Sequence, residues 1–220
     1  MNVNKAFIFD MDGVIIDSEK AWVQYGNDFL SKLFGKKIAS KIGDTIGLTS
    51  NSIYEKAAQY GFYMDKKKYY EIYDKQAAYI YSKANITNDV DKLGQKLISL
   101  GFKLGLVSSS RTNWINEVVP RIPFKNSLVC IIPINDRPDL RPKPNPDGYL
   151  EAIKKLESKP ELSIILEDSN SGIQAAKESR AFVIGFTQNL VDGYKQKGAD
   201  VYADNMNDVI KIVESVNQKL

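Results

Sequence analysis

Short, uninterrupted apolar runs recur along the chain at residues 6–9, 104–107, 128–132, 162–166 and 182–184. None alternates apolar with polar positions, so each predicts a strand covered on both faces, as in a parallel sheet. Helical patterns lie between most of them. Val90, Leu93, Leu97 and Leu100 repeat at helical spacing and stop at Gly101, a suitable C′ residue, and 173–178 reads as a further helix. Strands alternating with helices predict a doubly wound, Rossmann-like α/β core around a parallel sheet.

From Ser18 to about Ala84 the alternation gives way to helical stripes alone. Trp22, Tyr25, Phe29, Leu30 and Leu33 share one face. Ile53, Ala57 and Tyr60 form a second stripe that Gly61 stops. Tyr69, Ile72, Tyr73, Ala77 and Ile80 form a third, with Asp65 as its expected N-cap. The expected organisation is therefore an α/β core from 1–16 and 85–220 with an inserted α-helical cap from 17–84. The tyrosines of the insert are expected to be packing and surface residues, and Asp17 the N-cap of its first helix.

Composition narrows the function classes modestly. With 43% hydrophobic residues the chain can bury a sizeable core, and its net charge of +3 suits anionic small molecules without requiring nucleic acid. The single Cys130 excludes an internal disulfide and fits a reducing compartment. No apolar run approaches the roughly 20 residues that span a bilayer, so a cytoplasmic protein without membrane or nucleic-acid partners is expected, with a monomer as the default. The chain has no histidine, so acid–base chemistry falls to carboxylates, Lys, Tyr or Cys.

The candidate chemistry gathers at strand ends, where open α/β sheets bind ligands. The first strand ends in Asp10-Met11-Asp12-Gly13, the second in Ser108-Ser109-Ser110-Arg111, and the fourth in Glu167-Asp168, while "RPKPNP" after the third sets Lys143 between prolines. On an extended chain Asp10 and Asp12 leave the same side, roughly 6–7 Å apart at Cα. With Asp168 they make an oxygen-only ligand set for a hard cation. Mg²⁺ suits it, because water and a substrate phosphate complete its octahedron. An EF-hand loop needs Gly at its sixth position and polar ligands throughout; here Gly is fourth and Val14-Ile15-Ile16 follow. Asp10 can then attack a phosphoryl group in line, and Asp12 can protonate the leaving alkoxide and later activate water. Ser108 and Lys143 would hold the phosphoryl oxygens, and Ser109 and Arg111 are further candidates for binding the phosphorylated substrate. Ser110 is expected to cap the helix that follows.

"DMDGVIIDSE", "LVSSS", "RPKPNPDGYLEA" and "IILEDSNSGIQAAKES" stand in the order of the four motifs of the haloacid dehalogenase-like hydrolase superfamily. Over nearly its whole length the chain resembles the subfamily with an α-helical cap after motif one, which includes β-phosphoglucomutase-like and phosphoglycolate phosphatase-like enzymes. The resemblance implies Asp10 as nucleophile and Asp12 as acid/base, the backbone carbonyl of Asp12 also ligating Mg²⁺. Ser108 and Lys143 match its phosphate binders, and Glu167 and Asp168 its acidic pair, giving a metal set of Asp10, Asp12, Glu167 and Asp168. It implies a cap that closes over the core and reads the leaving group through Thr49, Ser50 and Asn51.

Related chemistries separate on particular residues. A dehalogenase needs no acid two positions after the nucleophile, so Asp12 argues against it. A phosphonatase needs a cap lysine, and "IGLTSNS" offers none. A sugar phosphomutase needs a second phosphate clamp, which the subfamily supplies as a cap arginine, together with a histidine after motif one. This chain has no histidine, and its first arginine is Arg111, leaving Arg111 or Lys41 as weaker substitutes. The expected function is a Mg²⁺-dependent phosphatase of a small phosphorylated metabolite, a sugar phosphate foremost. The alternatives are a phosphomutase and a catalytically inactive binding relative.

Overall fold

The computed structural model of the 220-residue chain describes residues 3–43, 45 and 48–218. The chain divides into two compact units, Met1–Asp17 with Asn85–Leu220, and Ser18–Ala84. The first unit carries β1 (Asn4–Phe9), β2 (Ile16–Asp17), β3 (Asn85–Ile86), β4 (Phe102–Ser108), β5 (Leu128–Pro133), β6 (Ser158–Glu167), β7 (Phe182–Phe186) and β8 (Val201–Ala203). Six of these form one parallel sheet in the order β5-β4-β1-β6-β7-β8. The order reverses at β1, which lies between β4 and β6, so the carboxyl ends of these three strands frame the crevice where such sheets bind ligands. β2 and β3 form a separate antiparallel pair, Ile16 opposite Ile86 and Asp17 opposite Asn85. Asp17 closes β2 and immediately precedes α1 (Ser18–Phe34), the position expected for it as an N-cap.

The Ser18–Ala84 unit contains α1 (Ser18–Phe34), α2 (Lys36–Ile42), α3 (Ser50–Gln59) and α4 (Lys66–Lys83). Sequence periodicity missed α2, a seven-residue helix too short to show a stripe. Asp65 is the N-cap of α4, accepting from the Lys68 amide at 3.0 Å. Aromatic residues build the interior. Fully buried Tyr69 packs against Phe34, Tyr54, Tyr70 and Tyr73, and its hydroxyl donates to the Ser50 carbonyl at 2.8 Å. The other tyrosines range from buried Tyr73 to fully exposed Tyr63.

In the first unit, α5 (Val90–Ser99), α6 (Thr112–Val118), α7 (Asp147–Lys155), α8 (Asn170–Glu178) and α9 (Met206–Asn217) complete the chain. α9 and β8 had no counterpart among the sequence expectations. β1 is buried on both faces, as its unbroken apolar run required. Ala6 and Ile8 face a core shared with Tyr149, Ala152 and Ile153 of α7 and with Ile173 and Ala176 of α8. Phe7 and Phe9 serve the other face, the first edge-on to Phe102 and the second 5.3 Å from the Phe124 ring. No described helix is long and apolar enough to cross a membrane.

Gly94 shows how tightly α5 approaches that aromatic layer. A Cβ there would stand 2.1 Å from Phe124 Cδ1. Gly94→Ala normally gains about 0.5–1 kcal/mol in a helix, but overpacking of this kind costs about 1–3 kcal/mol. The expected outcome is a net loss, read as a melting temperature lowered by several degrees. A melting temperature at or above wild type would show that Phe124 yields.

Candidate active site

Asp10 stands one residue beyond β1 and prolongs the sheet by a rung, its amide donating to the Leu166 carbonyl at 3.0 Å. The chain then folds back tightly. The Met11 carbonyl accepts from the amides of Ile15 and Ile16, and Gly13 adopts φ 71°, where a side chain would be strained. Met11, Val14, Ile15 and Ile16 are fully buried and anchor the turn from below. Asp10 and Asp12 are thereby held on a rigid platform.

Lys143 reaches into this platform from the loop between β5 and α7. Its Nζ donates to Asp10 Oδ1 at 2.5 Å and to Glu167 Oε1 at 2.6 Å, and it lies 5.1 Å from the centre of the Tyr149 ring. The lysine loop is braced by Arg141, which grips Asp147 through both guanidinium and main-chain nitrogens and lowers the Asp147 carboxyl to about 2. Burial disfavours the Lys143 ammonium, but Asp10 and Glu167 outweigh it and hold its pKa well above the usual lysine range.

Glu167 is bonded through both carboxylate oxygens. Its four lone-pair positions meet four protein donors: Lys143 Nζ and Tyr149 OH at Oε1, the Ser169 amide and hydroxyl at Oε2. The carboxylate is fully buried and anchors Lys143. Only glycine at position 172 permits this, since a Cβ there would fall 1.6 Å from Glu167 Oε1. The N-cap of α8 is Ser169, accepting from the Gly172 amide at 3.0 Å.

Asp12 turns its side chain the other way. Its Oδ2 accepts from Ser110 Oγ at 2.8 Å and from Ser108 Oγ at 3.4 Å, while the Ser110 amide donates to Ser108 Oγ. Ser110 is therefore a partner of Asp12, and Arg111 occupies the N-cap position of α6 that Ser110 was expected to fill. Ser109 is exposed, its carbonyl accepting from Asn135 Nδ2; Arg111 is half-buried beside it. The structure thus brings Asp10, Asp12, Ser108 and Lys143 together.

Asp168 closes the site from β6. A Cβ on Gly13 would lie 1.9 Å from Asp168 Oδ2, so the carboxylate rests against the Asp12–Gly13 turn. Burial, and then repulsion from Glu167 and the other acids, raises the Asp168 pKa well above the carboxylate range. Burial raises Asp10 likewise, with Lys143 opposing. Four carboxylates face one ammonium, an imbalance that a divalent cation relieves. Among the described residues no three acidic, cysteine or histidine side chains converge closely enough to hold a metal alone. The Asp10 and Asp168 carboxylates remain as donors, hard oxygen ligands of the kind Mg²⁺ takes together with several waters.

Thr49, Ser50 and Asn51 have tasks within the helical unit. Thr49 is the N-cap of α3, accepting from the Ser52 amide, and Asn51 links Glu55 to Tyr70. Ile46 and Gly47 of the same expected loop lie outside the described residues. Lys41 sits over the Tyr60 ring at 5.2 Å. Sequence reading missed Tyr149 and Ser110 as partners; the one signal present was their spacing from Lys143 and Ser108.

A family model described as haloacid dehalogenase-like hydrolase matches residues 7–186. Validoxylamine A 7'-phosphate phosphatase of Streptomyces hygroscopicus is 26% identical, over 93% of this chain and 95% of that protein. The β-phosphoglucomutase of Bacillus subtilis is 27% identical, over 93% and 91%. A crystal structure of a hydrolase of the same family, family IA variant 3, from Entamoeba histolytica superposes with a TM-score of 0.78 at 18% identity, covering 97% of this chain and 99% of that one.

The raised carboxyls have a stability consequence. With an unfolded value near 3.9, the stability associated with Asp10 and Asp168 in metal-free protein is complete below about pH 4 and is lost as pH rises through their native values. Asp168→Asn removes part of that loss. In chelator, the variant is expected to melt above wild type at pH 8, by about 2–4 °C for each ~1 kcal/mol recovered, with the advantage narrowing toward pH 4. A variant melting at or below wild type at pH 8 would show that no such repulsion is stored there.

Proposed function

The chain belongs to the haloacid dehalogenase-like hydrolases, and on that premise we propose that it is a Mg²⁺-dependent phosphatase of small phosphorylated metabolites, sugar phosphates foremost. One observation carries the reading: Lys143 holds Asp10 Oδ1 at 2.5 Å while Asp12, two residues on, presents a separately held carboxyl. Carboxylates two residues apart with different partners can perform different tasks. The named relatives, a phosphatase and a phosphomutase, support phosphoryl transfer.

Asp10 Oδ2 attacks phosphorus, the bond from phosphorus to the leaving oxygen breaks, and an aspartyl phosphate forms. Asp12 gives its proton to that oxygen, then takes one from the water that attacks the intermediate, releasing inorganic phosphate and regenerating both acids. Lys143 and the Ser108 hydroxyl bind the transferring oxygens; Ser110 orients the Asp12 carboxyl. Asp10, Asp168 and the Asp12 carbonyl would hold Mg²⁺, which when bound supplies charge that neutralises the phosphoryl oxygens and favours ionised Asp10. Glu167 contributes through Lys143.

Hydrolysis is favoured over mutase chemistry because a mutase must grip a second phosphate. No arginine precedes Arg111, and Lys41 already lies against Tyr60. A panel of phosphorylated sugars with β-glucose 1-phosphate included decides this: inorganic phosphate is expected from several sugar phosphates, and isomerisation without phosphate release would overturn the assignment.

Two substitutions test the roles. Asp10→Asn is expected to abolish Mg²⁺-dependent turnover of p-nitrophenyl phosphate while circular dichroism stays native; retained turnover removes Asp10 as nucleophile, and a wild type inactive with and without Mg²⁺ favours a binding relative. Asp12→Ala should cost about 10²–10⁴-fold on an alkyl phosphate and much less on p-nitrophenyl phosphate, whose leaving group needs no proton. Equal losses on both substrates would contradict the acid role.

A further inference from the structure

The segment joining β7 to β8, residues 187–200, belongs to none of the motifs, yet two of its side-chain amides reach the two loops that meet in the site. Asn189 Nδ2 donates to the Gly13 carbonyl at 3.0 Å and to Thr87 Oγ1 at 2.8 Å. Gln196 Nε2 donates to the carbonyls of Asp168 and Phe186, the latter at 2.7 Å. Asn189 thus ties the Gly13 carbonyl to Thr87, and Gln196 ties the Asp168 carbonyl to the end of β7 at Phe186.

The segment is fastened to the same region at further points. The Asn170 amide donates to Tyr194 OH at 2.8 Å, Asn170 Nδ2 to the Lys195 carbonyl at 3.0 Å, and the Lys197 amide to Asn170 Oδ1 at 2.9 Å. Gln196 Oε1 is buried with no hydrogen-bond partner among the described residues. An orphaned carbonyl oxygen costs about 1–3 kcal/mol. Turning the amide over would set that oxygen against two carbonyl oxygens, which is worse, so the orientation is dictated by the carbonyls it holds. The tolerance between the two loops is small, because Asp168 Oδ2 fills the space where a Cβ on Gly13 would stand.

We propose that Asn189 and Gln196 are positioning residues for the divalent cation, fixing the main chain at Gly13 and Asp168 so that the Asp12–Gly13 turn and the Asp168 carboxylate keep the close approach seen between them. The inference rests on the cation reading given under Proposed function. Residues that hold metal ligands in this way typically alter metal affinity or activity about 10–100-fold when removed.

The test is Mn²⁺ binding by isothermal titration calorimetry to the full chain, with wild type, Asn189→Ala, Gln196→Met and Asp168→Asn, beside thermal melts in chelator. Gln196→Met keeps the volume and deletes the donors. Dissociation constants raised about tenfold or more in the first two variants, with cooperative melts, are expected. A merely structural role would lower the melts and leave the constants of the folded protein unchanged. Constants within twofold of wild type, with binding lost in Asp168→Asn, overturn the positioning role and leave the cation reading standing. Undiminished binding in Asp168→Asn removes the cation reading and the inference with it. Should Gln196→Met not fold, the constant for Asn189→Ala decides alone.

Discussion

A single buried ammonium shared between two buried carboxylates governs the architecture of this site. Lys143 Nζ contacts Asp10 and Glu167 at 2.5 and 2.6 Å, in a place where its side chain and both partners are almost wholly removed from water. Desolvating three charges is costly, and mutual attraction offsets it only where the remaining lone pairs are also hydrogen-bonded. Glu167 meets that condition with Tyr149 and Ser169. The consequence spreads outward: Tyr149 must be buried in α7, Ser169 must cap α8, and position 172 must lack a Cβ. One ion triplet therefore dictates residues on β6, α7 and α8 that touch no substrate.

The same triplet leaves the site electrically incomplete. Glu167 and Asp10 together outnumber Lys143, and Asp12 and Asp168 add negative charge beside them. Burial first, and then repulsion among these acids, raises the pKa of Asp10 and Asp168. A fold can tolerate that stored energy because the apolar layers on both sides of β1 are fully buried. An excess of buried negative charge of this kind is relieved by a cation.

What sequence reveals about such a protein follows from how each interaction is encoded. Strands β1, β4, β7 and the second half of β6 were legible because burial on both faces demands unbroken apolar runs, and α4 because Asp65 caps an apolar stripe; β5 carries such a run too, yet Val129 and Ile131 are exposed, so one of its faces is not covered as the run implied. The gathering of Asp10, Ser108, Lys143 and Asp168 followed from strand ends pointing to one crevice. The contacts of Glu167 with Lys143, Tyr149 and Ser169 were not legible, because its adjacency to Asp168 in sequence says nothing of partners 2, 18 and 24 residues away. The bond from Ser110 to Asp12 was not legible, since nothing local distinguishes a serine that bonds its own backbone from one that bonds Asp12. The helix α2 and strand β8 are too short for periodicity to register.

Asn189 and Gln196 show the limit most clearly. They act through main-chain carbonyls 28 and 176 residues away, partners that no spacing rule connects. Their chemical type is nonetheless intelligible. A lysine or arginine would donate to the same carbonyls but would neutralise the negative excess that draws a cation, and an aspartate or glutamate would repel the carbonyls. A primary amide donates two hydrogen bonds while leaving the local charge untouched. Neutral donors can fix the geometry of an anionic site without weakening its electrostatics, and the two side chains that reach the Gly13 and Asp168 carbonyls, Asn189 and Gln196, are of that kind.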